Sequence, residues 1–207
     1  MNEIQVLIVE DEPVIAENLA HYLNTNDFNV CGIAYDDEEA MMFLEHSTPD
    51  AAILDINLGS EMTGIEIADV INKKYSLPFI FLTSYADKET IERAKLVKPW
   101  GYIVKPFNEQ TVIANIEIAI SNFAKARNSS EPGISLEKLN RHLLSALSQR
   151  EFEVLESIYS GMTNRQIAAH MHVSVNTVKK HINSAYLKID AVSRSTALVR
   201  IRELMLK

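Results

Sequence analysis

The amino-acid sequence predicts two folds in tandem: a doubly wound α/β unit on a five-stranded parallel (βα)5 sheet, then an all-α unit of four helices. Three observations carry this reading. Short apolar, β-rich runs alternate with helical patterns through the first part of the chain. A polar stretch, Asn128-Ser129-Ser130-Glu131-Pro132-Gly133, ends that alternation. Only helical patterns follow it. The expected boundaries are 1–125 for the α/β unit, 126–143 for a linker and leading helix, and 144–207 for the helical unit.

Candidate strands are Ile4–Val9, Asn29–Ala34, Ala51–Leu54, Phe79–Leu82 and Tyr102–Val104. Most are continuous apolar runs, as strands covered on both faces require. Between them, Ile15, Leu19, Tyr22 and Leu23 share one helical face, and so do Ile113, Ile116, Ile120 and Phe123. Five β units alternating with five α units imply a parallel sheet with right-handed crossovers, and such sheets hold ligands at the carboxyl ends of their strands.

In the second part, Leu136, Leu139, Leu143 and Leu147 are spaced as one helical stripe. Ser148-Gln149-Arg150-Glu151 has the form of a capping box and opens a helix through about Tyr159, with Gly161 as a stop. Thr163-Asn164-Arg165-Gln166 repeats the pattern and opens a helix to about Met171. Ser174 caps a helix to about Lys188, and a last helix covers about Ser193–Leu206.

The net charge of −8 conceals an asymmetry: residues 1–134 carry 9 Lys/Arg and 22 Asp/Glu, a net of −13, and residues 135–207 carry 11 and 6, a net of +5. Two modules with different partners account for that split. No apolar run approaches the roughly 18 residues of a membrane span, and the N-terminus lacks the pattern of a signal peptide. Cys31 is the only cysteine, so no internal disulfide forms. These features point to the cytoplasm.

Polar groups gather at the predicted strand ends. Glu10 and Asp11 follow the first strand, Asp55 ends the third, Thr83 the fourth and Lys105 the fifth. With the first, third, fourth and fifth strands side by side, these groups converge on one rim. Clustered carboxylates repel one another, and a hard divalent cation such as Mg²⁺ relieves the repulsion. One carboxylate can then act as a nucleophile toward phosphorus, with Lys105 neutralising and Thr83 hydrogen-bonding the transferred group.

The stretches LIVEDEP (7–13), AAILDINLGSEMTGIEIA (51–68), FIFLTSYAD (79–87) and GYIVKPF (101–107) resemble the receiver domain of two-component signalling. The resemblance implies Asp55 as phosphoacceptor, Glu10 and Asp11 as the acidic metal site together with Asp55, and Asn57 as a metal ligand through its carbonyl. It implies Thr83 as switch hydroxyl, Lys105 as phosphoryl-binding lysine and Tyr102 as switch aromatic. Glu10 stands where Asp is commoner in the family. Lys98-Pro99-Trp100 also departs from the family pattern, and Trp100 reads equally as core or as a partner-facing surface. Asn57 and Tyr85 lie two residues beyond Asp55 and Thr83, where they would flank an attacking water.

In the helix after Ser174, Val178, Ile182, Ala185 and Ile189 form an apolar face. Asn176, Lys179, Lys180 and Asn183 fall on the other, a cationic and amide-rich surface suited to base edges and phosphates. With the helix before it, the arrangement is that of a helix-turn-helix. Residues 147–199 are similar to the LuxR-type DNA-binding domain, through SQREFEVL, the Gly161 turn, NRQIA, TVKKHI and the Ser193-Arg194 start of the last helix. That resemblance places Lys179, Lys180 and Asn183 against bases or phosphates and Thr177 against a phosphate. His170, His172 and His181 lack the spacing and companions of a metal site.

Together the resemblances imply a transcriptional regulator rather than an enzyme. A sensor histidine kinase would donate the phosphoryl group, phosphorylation would promote a homodimer, and the dimer would bind double-stranded DNA; no membrane is involved. The competing reading, a Mg²⁺-dependent phosphohydrolase, lacks a second aspartate two residues after Asp55, where Asn57 stands.

Overall fold

The computed structural model describes residues 3–84, 88–128 and 133–206. Tyr85 and most of the Asn128–Gly133 stretch lie outside the described residues. The chain divides into two units, Gln5–Ile120 and Met1–Ile4 with Ser121–Lys207.

The α/β part of the chain alternates β1 (Ile4–Val9), α1 (Pro13–Asn24), β2 (Phe28–Ala34), α2 (Asp37–His46), β3 (Ala51–Asp55), α3 (Gly64–Val70), β4 (Phe79–Thr83), α4 (Lys88–Leu96), β5 (Tyr102–Val104) and α5 (Glu109–Asn128), the last running on past Ile120 into the other unit. A short π-helical turn, Ile71–Tyr75, prolongs α3. The strands lie in the order β2-β1-β3-β4-β5, and β1–β3, β3–β4 and β4–β5 pair in parallel. The chain winds outward from β1 in both directions, so a crevice opens beyond the carboxyl ends of β1 and β3.

Strand alternation divides the buried side chains between two faces. Leu7, Val9, Ala52, Leu54, Phe79 and Phe81 pack with Leu44, Ile67 and Ala68 of α2 and α3. The intervening Val6, Ile8, Ile53 and Ile80 are also fully buried. The helices begin where local chemistry satisfies their first N–H groups. Pro13 opens α1, Asp36 accepts from Glu39 N at 2.8 Å ahead of α2, and Thr63 with Glu66 forms a capping box on α3.

In the second unit α6 (Leu136–Asn140), α7 (Gln149–Tyr159), α8 (Asn164–Met171), α9 (Val175–Ile189) and α10 (Arg194–Leu206) enclose one core. Both expected capping boxes are present, Ser148 with Glu151 and Thr163 with Gln166. The expected four-leucine stripe is corrected. The helix ends at Asn140, because the Asn140 side chain bonds the Leu147 backbone, accepting from N at 2.7 Å and donating to O at 3.3 Å. Leu143 and Leu147 therefore reach the core from a turn. No helix among the described residues is long and apolar enough to cross a membrane.

Candidate functional site

Strand register brings the polar groups to one rim. Val9 pairs with Leu54, so Glu10 stands level with Asp55; Asp55 pairs with Leu82, one residue before Thr83; Thr83 pairs with Val104, one before Lys105. The Lys105 ammonium donates to Asp55 Oδ2 at 2.5 Å and to Glu10 Oε1 at 2.8 Å. All three side chains are nearly enclosed, Lys105 at 9% exposure, Asp55 at 8% and Glu10 at 0%. Asp55 Oδ1 accepts from Asn57 N at 2.9 Å, which aims the carboxylate. Asp11 is exposed, and its Oδ2 accepts from Gly59 N at 3.3 Å. One carboxylate oxygen from each of Glu10, Asp11 and Asp55 lies within 4.8 Å of the others.

The electrostatics are unbalanced. Burial pushes the Glu10 carboxyl up to about 7; the Lys105 hydrogen bond opposes this and Asp55 repulsion adds to it. Burial also works against the charged Lys105, but Asp55 and Glu10 outweigh it and hold the ammonium above its usual range. Thr83 Oγ1 is buried with no hydrogen-bond partner among the described residues. A buried hydroxyl without a partner is costly unless something arrives to receive its proton. A rim of three carboxylates, one ammonium and one unsatisfied donor suits a hard cation and an anionic oxygen group together.

Tyr102 stands on β5 at 39% exposure, its ring 5.9 Å from that of Phe81. Asn57 is exposed at the end of β3. Trp100 is partly buried, and its backbone N–H donates to Phe79 O at 2.9 Å. Two residues at the rim were passed over on sequence. Gly64 lets the start of α3 lie against the strand end, since a Cβ there would meet Asp55 O at 1.8 Å. Glu12 has its carboxylate 3.8 Å from Lys105 Nζ. Lys105 is distant from Glu12 in sequence, and Gly64 meets Asp55 only because the chain folds back at the start of α3, so neither contact shows in local spacing.

The second unit places its candidate residues on α9. Val178, Ile182, Ala185 and Ile189 are buried, as expected. Asn176, Lys180 and Asn183 are exposed on one stripe, at i, i+4 and i+7; Thr177 and Lys179 are partly covered. Thr177 N donates to Ser174 Oγ at 3.1 Å, capping the helix. His172 ends α8 in the left-handed region at φ 55°, which makes the sharp turn between α8 and α9. Arg194 is buried and donates to Ile158 O at 3.2 Å and Met162 O at 2.6 Å, holding the start of α10 on the end of α7.

A doubly wound sheet with buried carboxylates at its crevice, in one chain with a helix-turn-helix, defines a signalling module coupled to a DNA-binding module. The family described as Response regulator receiver domain matches residues 6–117, and that described as Bacterial regulatory proteins, luxR family, matches residues 145–201. The chain belongs to the response regulators with a LuxR-type output domain. It is similar to the response regulator protein VraR of Staphylococcus aureus, at 28% identity over 95% of each chain. Its α/β part is similar to the signal receiver domain of a modulated diguanylate cyclase from Desulfovibrio desulfuricans G20, at 38% identity and a TM-score of 0.56, over 59% of this chain and 97% of that one. The fold of full-length FixJ from B. japonicum matches over 100% of both chains, at a TM-score of 0.55 and 19% identity. The chain is accordingly a phosphorylation-dependent transcriptional regulator of a two-component system.

Proposed function

We propose that Asp55 is the phosphoacceptor. An Asp55 oxygen forms the new O–P bond as the bond from phosphorus to the donor breaks, and the donor leaves with the electron pair. Lys105 and Thr83 then hold the phosphoryl oxygens. The observation that carries this reading is the pairing of one ammonium with two buried carboxylates beside a buried hydroxyl that has no partner among the described residues. Glu10, Asp11 and Asp55, with the Asn57 carbonyl, would hold Mg²⁺, and their proximity fits a hard cation. When bound, the cation supplies positive charge against the carboxylates and phosphoryl oxygens.

A sensor histidine kinase is the expected donor, in the cytoplasm, and the regulator performs no multiple-turnover catalysis of its own. Residues 1–125 receive the signal, 126–143 connect, and 144–207 bind double-stranded DNA. Asn176, Lys179, Lys180 and Asn183 face base edges or nearby phosphates, and Thr177 a phosphate. Phosphorylation pulls Thr83 toward Asp55 and turns Tyr102 inward, which favours a homodimer. Two linked helix-turn-helix copies then bind paired half-sites far better than one.

Acetyl phosphate with Mg²⁺ should add one acid-labile phosphoryl group, detected by mass spectrometry of the intact chain. Asp55→Ala or EDTA should prevent it; label retained in Asp55→Ala would refute the assignment. Selection of bound DNA from a random pool, with and without phosphodonor, tests the output reading.

A further inference from the structure

The Lys105 ammonium has a third partner within reach. Its Nζ lies 2.5 Å from Asp55 Oδ2 and 2.8 and 2.7 Å from the two Glu10 carboxylate oxygens, so its three N–H groups already face close oxygens. Glu12 Oε1 stands 3.8 Å from Nζ, too far for a hydrogen bond but close enough for strong attraction. Glu12 sits at the N-cap of α1, yet its side chain makes no capping bond, and Pro13 after it has no N–H to offer. Its backbone N–H is bound instead by Glu10 Oε1 at 3.3 Å, which anchors the residue to the site. The Glu12 side chain is 65% exposed, whereas Lys105 and Asp55 are nearly enclosed. Glu12 is thus a negative charge at the open edge of the site, beside the cation that an incoming phosphoryl group must engage.

We propose that Glu12 is an electrostatic positioning residue that competes with the phosphoryl oxygens for Lys105 and so slows transfer from anionic donors in solution. The proposal rests on Asp55 being the phosphoacceptor. In the step concerned, an Asp55 oxygen bonds to phosphorus as the phosphorus–oxygen bond to acetate breaks, and acetate leaves with the electron pair. The donor must first bring a doubly negative group past Glu12. Replacing the carboxylate by an amide removes that repulsion and the Glu12 share of the attraction on Lys105. The effect should scale with the donor's charge and fade as salt screens it.

The test measures phosphorylation rates of the full-length chain and of Glu12→Gln and Glu12→Lys at pH 7 and saturating Mg²⁺. Two donors are compared: acetyl phosphate, which is a dianion at that pH, and phosphoramidate, which is mainly a monoanion. At low salt Glu12→Gln should react about threefold faster with acetyl phosphate, and by roughly the square root of that factor with phosphoramidate. Glu12→Lys should react roughly tenfold faster with acetyl phosphate. At about 1 M salt, where the screening length is ~3 Å, the ratios should approach one. Equal gains with both donors, or gains indifferent to salt, would indicate a change in local packing and overturn the proposal, as would no gain at all. A wild-type chain that takes no label at Asp55 from either donor would instead refute the phosphoacceptor reading itself.

Discussion

Lys105 in the α/β unit and Lys188 in the helical unit both lie against buried carboxylates, but their partners fare differently. Glu151 is 5% exposed and every part of its carboxylate is occupied. It accepts from Lys188 Nζ at 2.7 Å, Ser184 Oγ at 2.5 Å and Ser148 N at 2.6 Å, and Lys188 also donates to Ala146 O at 2.9 Å. Burial raises the Glu151 carboxyl, but the bonds from Lys188, Ser184 and Ser148 more than offset this and bring it down to about 2. At the rim, one ammonium is shared by two carboxylates, and burial leaves Glu10 at about 7. The helical cluster is complete with one lysine, two serines and one carboxylate. The rim cluster has excess negative charge and a hydroxyl without a partner among the described residues. A satisfied buried network holds a fold together, and an unsatisfied one awaits a ligand.

Substitutions should separate the two clusters. The largest effect is at the rim: Asp55→Asn should abolish phosphoryl uptake while leaving the urea unfolding midpoint unchanged or higher, because it removes one of three clustered carboxylate charges. A loss of more than about 1 kcal/mol would make the rim a structural cluster like the other. The opposite pattern is expected for Lys188→Ala, which leaves Glu151 buried without its cation. It should lower unfolding free energy by about 3 kcal/mol and leave the phosphorylation rate unchanged.

The same cluster should give a signature in acid. The folded carboxyl titrates near 2, below its ordinary 4.5, so its stabilisation is complete above about 4.5 and disappears as pH falls through about 2. The stability difference between wild type and Glu151→Gln should therefore be constant from pH 7 to 5 and shrink steadily below. A difference that persists at pH 2 would mean that Glu151 acts by packing alone. The smallest effect concerns the exposed stripe of α9. Lys180→Ala should weaken DNA binding by about 1 kcal/mol and reduce the salt slope by about one, with no change in stability. A measurable loss of stability would place Lys180 in the fold rather than the interface.

Much of the architecture was legible locally. Apolar runs marked five strands to within a residue or two, because a strand covered on both faces tolerates little else. The capping boxes at Ser148 and Thr163 marked helix starts, since residues three apart satisfy each other whatever surrounds them. The buried face of α9 followed from its spacing. Where the same periodicity reading failed, at Leu143 and Leu147, the cause was a bond between Asn140 and a backbone seven residues on, which helical spacing does not register.

What the sequence by itself determined was the order of the elements, their covered faces and the residue types at each strand end. Which of these groups touch was decided by the tertiary structure. Lys105 meets Glu10 across 95 residues and Asp55 across 50, and Lys188 meets Glu151 across 37. Those meetings depend on strand order and helix packing. So do the close approach that admits only glycine at position 64 and the place of Glu12 beside Lys105. Burial then set the charge states: the same residue type, glutamate, is pushed up at position 10 and down at position 151. The reason is that a carboxylate's energy depends on the solvent it loses and the donors it gains, and both are properties of the folded neighbourhood.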